Sequence, residues 1–202
     1  SKSKSIFGID VALKVARQTG KIYLVEGAPD VMRLQSLGIA NVVASLGGVW
    51  TKEQLQTFDN FGCTLYFIPD KDIPKEGHKF GAGDEFVFKN GRLATEMGFQ
   101  VTVREIPTDT IGKQDADSYI TSMERWDTMS EKDFVMWYAE KHYDADSTVD
   151  DQRKVICDVC DILINVRSEV MQSTLLSDLK DKYRRAGVWK SAFADAARRK
   201  QG

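Results

Sequence analysis

The chain has 202 residues, of which 42% are hydrophobic and 29% are charged, which is an ordinary balance for a folded globular protein with one good core. Its 28 Lys and Arg residues are offset by 30 Asp and Glu residues, which argues against a large DNA footprint but leaves room for a local basic patch. Neither a long apolar segment nor a signal peptide is present, so we expect a cytoplasmic protein without a membrane partner.

The first part of the chain alternates between helix and strand patterns. Apolar spacing predicts a helix over Ile9 to Thr19, and the β-forming run Ile22 to Val25 predicts a strand. This strand ends in Glu26, so a carboxylate stands at its tip. Pro29 fits the first turn of the next helix. Asp30 is explained by a capping role and therefore ranks below Glu26 as a metal ligand.

A further strand, predicted over Asn41 to Ser45, leads into a glycine turn. Gly47 and Gly48 would let backbone amides approach a ligand closely, so they could cradle a nucleotide phosphate beside the following helix. They are also consistent with an ordinary tight turn. The helix is predicted to begin near Thr51, which is a suitable N-cap residue.

The run Leu65 to Asp72 is the most informative stretch of the chain. It predicts a buried parallel strand that ends in two carboxylates, Asp70 and Asp72. Ligands of open α/β sheets collect at the carboxyl ends of the strands, where Glu26 is also expected. Three hard oxygen donors favour a divalent cation such as Mg²⁺, which would present phosphates for chemistry. Taken singly, each acid also fits common turn chemistry.

A polar loop from Ile73 to Gly81 carries lysines and a histidine beside these acids. It either binds nucleic acid or triphosphate, or it is a solvated surface loop. A helix over Asp84 to Met97 and a strand over Phe99 to Ile106 follow. Because strands alternate with helices, the sequence predicts an α/β fold with a parallel sheet that helices cover on both faces.

From Ser130 onward the patterns are helical alone, so we expect a small all-helical subdomain after the sheet. Its aromatic residues are predicted to form a core and not a platform for stacking bases. Cys157 and Cys160 have the spacing of zinc and redox sites. They lie in a helical pattern without a second pair nearby, which predicts that both are packed in the core.

Three motifs, in this order, resemble the Toprim domain that primases and topoisomerases share. They are Val25-Glu-Gly-Ala-Pro-Asp-Val31, Val43-Ala-Ser-Leu-Gly-Gly48 and Phe67-Ile-Pro-Asp-Lys-Asp72. A basic segment from Lys4 to Ala12 and the motif Lys113-Gln-Asp-Ala-Asp117 extend the similarity on either side. Together the five motifs resemble those of the bacterial DnaG-type DNA primase.

This resemblance implies a fragment of a primase, the nucleotidyltransferase that makes short RNA primers on single-stranded DNA in replication. It implies a basic lead-in segment and helix over residues 1–20, a Toprim catalytic domain over 21–122 and a helical subdomain over 130–202. The implied cofactor is Mg²⁺ or Mn²⁺. The implied partners are the DNA template, nucleoside triphosphates and a replicative helicase. A fragment of this kind can lack polymerase activity by itself.

The resemblance also assigns roles to individual residues. It implies that Glu26, Asp70 and Asp72 are catalytic and hold the metal, and that Asp115 and Asp117 extend the metal cluster. The residues implied to bind nucleotide or DNA are Lys2, Lys4, Gly47, Gly48, Lys71 and Lys113. A nucleophilic side chain is not needed, because positioning and charge neutralisation supply most of the rate in phosphoryl transfer.

The chain departs from the family pattern between and after its paired acids. Lys71 stands where the family usually has glycine, and the Ala-Gly that normally follows soon after is displaced to Ala82-Gly83. The loop Ile73 to Gly81 is then an insertion, which leaves the metal geometry open. Two alternatives remain: a Toprim-family nuclease or topoisomerase-related DNA enzyme, and a non-catalytic DNA-binding or partner-docking module whose acids tolerate substitution by alanine.

Overall fold

A computed structural model describes residues 5–201 of the chain. The chain folds into two compact units. The first contains the chain up to Ala94 together with Phe99–Lys132, and the second contains Thr95–Gly98 and the chain from Asp133 onward. Within the described range, no helix has both the length and the apolar character needed to cross a membrane.

Strands and helices alternate up to the last strand of the sheet. In chain order these elements are β1 (Ile6–Phe7), α1 (Ile9–Thr19), β2 (Lys21–Val25), α2 (Ala28–Ser36), β3 (Val42–Ser45), α3 (Lys52–Gln56), a 3₁₀ turn (Asp59–Phe61), β4 (Thr64–Phe67), α4 (Ala82–Glu96), β5 (Val101–Glu105), α5 (Ala116–Tyr119), α6 (Met123–Asp127) and β6 (Ser130–Asp133).

The strands of the described chain form one six-stranded sheet in the order β1-β3-β2-β4-β5-β6. The inner strands β3, β2, β4 and β5 are parallel, whereas β1 runs antiparallel to β3. The predicted α/β fold with flanking helices is therefore confirmed, but the sheet is mixed and not wholly parallel. An antiparallel edge strand on an otherwise parallel sheet is common, because a short segment can pair with the exposed edge from either direction.

The pairing of β2 with β4 brings together two strand ends that are followed by acids. We call the carboxyl-terminal end of these strands the acidic edge. Ile22 lies opposite Leu65 and Leu24 lies opposite Phe67, and all four side chains are fully buried. The predicted strand from Leu65 stops at Phe67, since the proline two residues later has no amide hydrogen for the ladder. The acids that follow it therefore lie in a loop, next to the end of β2.

Local sequence signals set the helix ends as predicted. Helix α1 covers Ile9–Thr19, and Gly20 ends it in the left-handed conformation with φ of 67°. Thr51 caps α3, and its hydroxyl accepts the amide hydrogen of Gln54 over 3.2 Å. The side-chain oxygen of Gln54 in turn accepts the amide hydrogen of Thr51, which completes a capping box.

The prediction that Ser130 begins a purely helical region is wrong, because β6 occupies Ser130–Asp133 at the edge of the sheet. Its four residues are polar and show no strand pattern. A buried arginine on β5 supplies the reason for the pairing: Arg104 forms an ion pair with Glu131 of β6 and donates to the carbonyl oxygen of Trp126. A buried charge needs such partners, so tertiary contacts override the local pattern.

The second unit is helical from Phe134 onward. Its helices are α7 (Phe134–His142), α8 (Val149–Leu163), α9 (Glu169–Lys182) and α10 (Ala186–Gln201). Helix α8 packs on α10 and α7, and the buried aromatic residues include Trp137 and Trp189. Cys160 is buried as predicted. Cys157 is exposed, so the prediction that both thiols lie in the core is wrong for Cys157. It precedes Cys160 by three residues and lies just outside the buried face of α8.

Candidate functional site

The carboxylates predicted at the strand ends meet at the acidic edge, where the parallel strands end. Glu26 directly follows β2, and Asp70 lies three residues beyond the end of β4. The backbone amide of Asp70 donates a hydrogen bond to Glu26 Oε1 over 3.1 Å. The pKa of the Glu26 carboxyl is raised, first because the group is largely buried and then because Asp72 and Asp30 are nearby, while the bond from Asp70 opposes the rise.

The charged form of Asp70 is strongly disfavoured in the metal-free chain. Its Oδ1 atom is buried and has no hydrogen-bond partner among the described residues. The pKa of Asp70 is raised to about 8, first because the group is buried and then because the neighbouring acids, led by Glu26, repel its charge. A buried carboxylate oxygen without a donor is stabilised when a cation approaches it, so Asp70 fits the role of a metal ligand.

Asp72 is held from two sides. Its Oδ1 atom lies 2.8 Å from the ammonium group of Lys113, and its Oδ2 atom accepts the amide hydrogen of Gly83 over 2.9 Å. The Asp72 side chain is only 10% exposed, whereas that of Lys113 is 63% exposed. Asp72 raises the pKa of Lys113 through this hydrogen bond and through its charge. Lys113 thus balances one acid of the edge with a cation of the chain itself.

The start of α4 is pressed against the acidic loop. A Cβ atom at Gly83 would lie 2.0 Å from the carbonyl oxygen of Asp70, and one at Gly81 would lie 2.7 Å from the Cβ of Asp72. No side chain fits at these distances, so the glycines let the helix approach the backbone of both acids. The displaced Ala82-Gly83 pair therefore does lie beside the acids, and the insertion loops out between Asp72 and Gly81.

Asp30 performs the capping role that the sequence predicts. Its Oδ2 atom accepts the amide hydrogen of Gly27 over 3.0 Å, and its Oδ1 atom accepts that of Asp117 over 2.9 Å. The side chain is buried, and burial raises its pKa while the two amides oppose the rise. With both oxygens bonded to backbone, Asp30 ties the turn after β2 to the start of α5.

The two acids of the Lys113-to-Asp117 motif already have partners in the described chain. Asp115 caps α5, and its Oδ1 atom accepts the amide hydrogen of Ser118 over 2.7 Å. Hydrogen bonds from the Ser118 side chain and then from its backbone amide lower the pKa of Asp115. Asp117 Oδ1 lies 2.9 Å from Arg33 Nε. The charge of Asp115 raises the pKa of Asp70, whereas Asp117 is not among the acids that do so. Asp115 is therefore more strongly coupled to the acidic edge than Asp117.

Lys71, implied to bind nucleotide, has a structural set of partners. Its ammonium group donates to the carbonyl oxygens of Pro107 over 3.3 Å, of Thr108 over 2.7 Å and of Thr110. Its backbone pairs with Gln114 in both directions. Lys71 thus connects the loop after β4 to the loop after β5, and in this arrangement its charge serves that connection. Two further lysines of the implied set, Lys2 and Lys4, lie outside the described residues.

The glycine turn faces the same edge, and a residue that the sequence analysis did not single out holds it. Gly48 has φ of 71°, in the region that favours glycine. The side-chain amide of Asn90 donates to the Gly48 carbonyl over 3.4 Å, and its oxygen accepts the amide hydrogen of Trp50 over 2.9 Å. Asn90 is buried in the middle of α4, where an Asn-Gly pair is unfavourable for a helix, and that was the available signal.

A cleft of about 600 Å³ opens beside these groups. Its lining combines the glycine turn, one face of α4 and the insertion loop with two of the acids, Glu26 and Asp72, and with Lys113. This volume falls within the range of about 300 to 1,000 Å³ that is usual for small-molecule sites. The cleft lies entirely within the first unit.

The donors of this edge fit a hard divalent cation better than a soft one. Carboxylate oxygens suit Mg²⁺ or Mn²⁺, and neither cysteine nor histidine stands among Glu26, Asp70 and Asp72. Across residues 5–201, however, no group of three or more His, Cys, Asp or Glu side chains is gathered closely enough to hold a metal ion. A complete three-acid ligand set would require Asp72 to exchange its bond to Lys113 for one to the cation.

Comparison with known proteins places these observations in a family. Residues 23–120 match the model of a family described as Toprim-like. A DNA primase of Staphylococcus aureus is 28% identical over 125 residues, which cover 59% of this chain and 19% of that protein. The chain thus spans only a small part of the curated relatives that it matches.

Solved structures resemble almost the whole chain. A DNA primase domain from Pseudomonas aeruginosa superposes with a TM-score of 0.73 at 17% identity, covering 98% of this chain and 60% of that one. A DnaG primase catalytic domain bound to single-stranded DNA gives a TM-score of 0.66 at 19% identity, covering 90% of this chain and 56% of that one. At these identities the likeness establishes the fold, which is that of a primase catalytic core.

Proposed function

This chain carries a Toprim domain of the DnaG-type primase family, and from this premise we propose that it is part of a primase core that transfers nucleotides onto short RNA primers. The observation that carries the proposal is the pairing of Glu26 with Asp70, whose buried Oδ1 lacks a partner among the described residues and whose pKa is raised to about 8. A bound cation would stabilise the charged form of such a buried carboxylate, which makes the group a suitable metal ligand.

Glu26, Asp70 and Asp72 are the proposed ligands of Mg²⁺ or Mn²⁺. Bound there, the metal would neutralise the charge of a triphosphate and activate the 3′-hydroxyl group of the primer. Asp72 would give up its bond to Lys113, which would free that ammonium group for the phosphates. Asp115 is the better candidate to extend the ligand set, because Asp117 is paired with Arg33.

Single-stranded DNA and nucleoside triphosphates are the proposed substrates of the longer protein, and a replicative helicase is its proposed partner. The resemblance to a DnaG domain bound to single-stranded DNA supports the template. Gly47 and Gly48 line the cleft next to Glu26, which supports a phosphate-binding role for this turn. These proposals concern the whole enzyme, since the matched region is 19% of the primase relative.

Two observations favour a second candidate, a non-catalytic module that keeps the fold. Lys113 already balances Asp72, and the described residues contain no assembled cluster of metal-binding side chains. In such a module the acids would only shape the sheet edge, and replacing them with alanine would not affect DNA or partner binding.

Calorimetric titration with Mn²⁺ tests the proposal. The parent chain is compared with Glu26→Ala and Asp70→Ala, with Asp178→Ala as a control because Asp178 is an exposed acid of α9. Circular dichroism checks that every variant is folded. We expect binding in the parent and in the control, and a loss of about tenfold or more in both site variants. A parent chain that does not bind Mn²⁺ would instead support the non-catalytic module.

The reaction itself is tested with the same substitutions in the longer protein. Incorporation of labelled ribonucleotides on a single-stranded template is the expected activity, and both site variants should abolish it. Cleavage of the DNA strand in place of nucleotide addition would move the assignment to a Toprim nuclease.

A further inference from the structure

Lys71 lies between the two acids that follow β4, but its side chain points away from the cleft beside them. Of the described residues, Asp72 lines that cleft and Lys71 does not. The Lys71 side chain extends instead to the loop between β5 and α5, which we call the β5–α5 loop (residues 106–115). The contacts that it makes there indicate what this lysine does for the site.

The ammonium group of Lys71 is surrounded by backbone carbonyl groups. It donates to the carbonyl oxygens of Pro107 over 3.3 Å, of Thr108 over 2.7 Å and of Thr110. A lysine ammonium group has three N–H donors, so these acceptors can use all of them and leave none for a phosphate. Carbonyl oxygens that converge in this way can replace the hydration shell of a cation. We call the three oxygens the carbonyl cage, and Lys71 is the cation that fills it.

The backbone of Lys71 fastens the same loop at a second place. The Lys71 amide donates to the Gln114 carbonyl oxygen over 2.7 Å, and the Gln114 amide donates to the Lys71 carbonyl oxygen over 2.9 Å. These two bonds form an isolated antiparallel bridge. One residue therefore holds the β5–α5 loop on both sides of the exposed Ile111.

The β5–α5 loop has few other polar attachments. Within residues 5–201, the hydrogen bonds and ion pairs that join residues 107–113 to the chain outside this loop all involve Lys71 or Asp72. The contact of Asp72 is with Lys113, whose side chain is 63% exposed. An ion pair with an exposed lysine is worth little by itself, because solvent screens it and the long side chain loses freedom. The bonds of Lys71 are therefore the main polar restraint on this loop.

This restraint bears on the site because charged residues flank Gln114 on both sides. The Lys113 ammonium group lies 2.8 Å from Asp72 Oδ1. Asp115, the N-cap residue of α5, is the acid proposed above to extend the ligand set. Both are adjacent in sequence to Gln114, which is bonded directly to the Lys71 backbone. Without the Lys71 ammonium group, the loop would move more freely and Lys113 would spend less time beside Asp72.

We propose that Lys71 is a positioning residue of the acidic edge, whose ammonium group occupies a cation site in the β5–α5 loop and thereby holds Lys113 beside Asp72. Lys71 then regulates the metal site from outside the cleft, because it determines how effectively Lys113 competes with a metal ion for Asp72. This inference rests on the proposed function only in treating the acidic edge as a metal site. The carbonyl cage itself is tested without metal.

Hydrogen exchange of the Gln114 amide in EDTA, followed by NMR, tests the restraint in the whole chain. The variants are Lys71→Met, which keeps an apolar stem and removes the ammonium group, and Lys71→Gly, which removes the whole side chain. Lys52→Met is the matched control, since Lys52 is an exposed lysine of α3. We expect the Gln114 amide to exchange about tenfold faster in both Lys71 variants and at the parent rate in the control. The Leu24 amide in β2 reports on global unfolding and should be unaffected.

Chemical rescue separates a cation site from a general loosening of the loop. In Lys71→Gly, n-butylammonium replaces the missing side chain and should slow exchange of the Gln114 amide severalfold. Tetramethylammonium at the same ionic strength has no N–H donor and should have no effect. An n-butylammonium effect no larger than that of tetramethylammonium would overturn the inference. Equal Gln114 exchange in the parent and in Lys71→Met, or equally accelerated exchange at Leu24, would do the same.

A double-mutant cycle with Mn²⁺ tests the consequence for the metal site. Calorimetry measures the effect of Lys113→Ala in the parent and in Lys71→Met. Removal of Lys113 should tighten Mn²⁺ binding severalfold in the parent but by less than about twofold in Lys71→Met, where Lys113 is no longer held beside Asp72. Equal effects in the two backgrounds would contradict the positioning role. A parent that does not bind Mn²⁺ would contradict the proposed function, whereas exchange and rescue would still decide whether Lys71 fills a cation site.

Discussion

The ammonium group of Lys113 lies 2.8 Å from Asp72 Oδ1, so a cation of the chain itself stands where the acidic edge would meet a metal. The lysine side chain is mostly exposed and can move away at little cost, whereas Asp72 is anchored by the Gly83 amide. Lys113 therefore neutralises Asp72 in the metal-free chain, and a metal ion can replace it.

Lys113→Ala should tighten the binding of Mn²⁺ severalfold, because the substitution removes a positive charge that competes for Asp72. The measurement is the dissociation constant from calorimetry at low salt, where exposed charges act most strongly. Lys190→Ala removes an exposed lysine in the helical unit and serves as the control. Weaker metal binding in Lys113→Ala would show that the lysine does not compete with the cation.

Asp70→Asn should stabilise the metal-free chain by about 2 kcal/mol at pH 9, after allowing for partial screening by solvent. The reason is that the folded chain must hold a buried carboxylate whose pKa is about 8, and the amide removes its charge. Urea denaturation in EDTA gives the difference in free energy of unfolding. Added Mn²⁺ should stabilise the parent and not the variant. A variant less stable than the parent in EDTA contradicts this account of Asp70.

Asp30→Ala should destabilise the fold by about 2 to 4 kcal/mol, because it leaves the amides of Gly27 and Asp117 without their acceptor. Its effect on Mn²⁺ affinity should be smaller than that of Glu26→Ala, since Asp30 binds backbone and Glu26 faces the cleft. Thermal unfolding and calorimetry on the two variants separate these roles. Equal losses of metal affinity would instead make Asp30 a ligand.

Gly83→Ala should destabilise the chain by about 3 kcal/mol or more and should disturb metal binding, because the new methyl group would collide with the Asp70 carbonyl oxygen. Gly187→Ala is the matched control in another helix, where a Cβ meets no atom within 4 Å. That control should gain about 0.5 kcal/mol from the better helix propensity of alanine. A harmless Gly83→Ala would mean that α4 can shift away from the acids.

Asp133 should make the stability of the chain depend on pH between about 4 and 6. It caps α7 by accepting the Val135 amide hydrogen over 2.8 Å, and burial raises its pKa from 3.8 to about 6. Because the folded chain binds this proton more tightly than the unfolded chain, stability falls as pH rises through that window. Asp133→Asn keeps an acceptor and removes the charge. The parent should lose about 2 to 3 kcal/mol relative to the variant between pH 4 and pH 7. Parallel curves would contradict the assignment.

The fold was largely predictable because its central strands are strongly apolar and its helix ends follow capping chemistry. The strand over Ile22 to Val25 and the N-cap at Thr51 both appear as predicted. The edges of the sheet were not predictable. Strand β1 has only two residues, and β6 is entirely polar and pairs through the ion pair between Arg104 and Glu131. Such contacts join residues that are distant in sequence and leave no local periodicity.

The acids of the site were predictable as a set, but their partners were not. A sequence cannot tell which carboxylate will accept a backbone amide, so Asp115 and Asp70 look equivalent in it. In the described part of the chain, Asp115 caps a helix, whereas the Oδ1 atom of Asp70 has no hydrogen-bond partner. Lys71 shows the same limit for cations. Its side chain reaches three carbonyl oxygens of a loop that follows another strand, and only the parallel pairing of β4 with β5 brings that loop near.

The close contact of Gly83 with Asp70 has a consequence for how this site can be altered. Because α4 is fixed to the acids directly, the insertion leaves and rejoins the scaffold at nearly the same place, and lengthening a closed loop adds little entropy cost, about 0.6 kcal/mol per doubling. The segment between Asp72 and Gly81 is therefore an exchangeable cassette. Its length and composition can be redesigned, or grafted from one homologue to another, without re-engineering the carboxylates on which the chemistry depends.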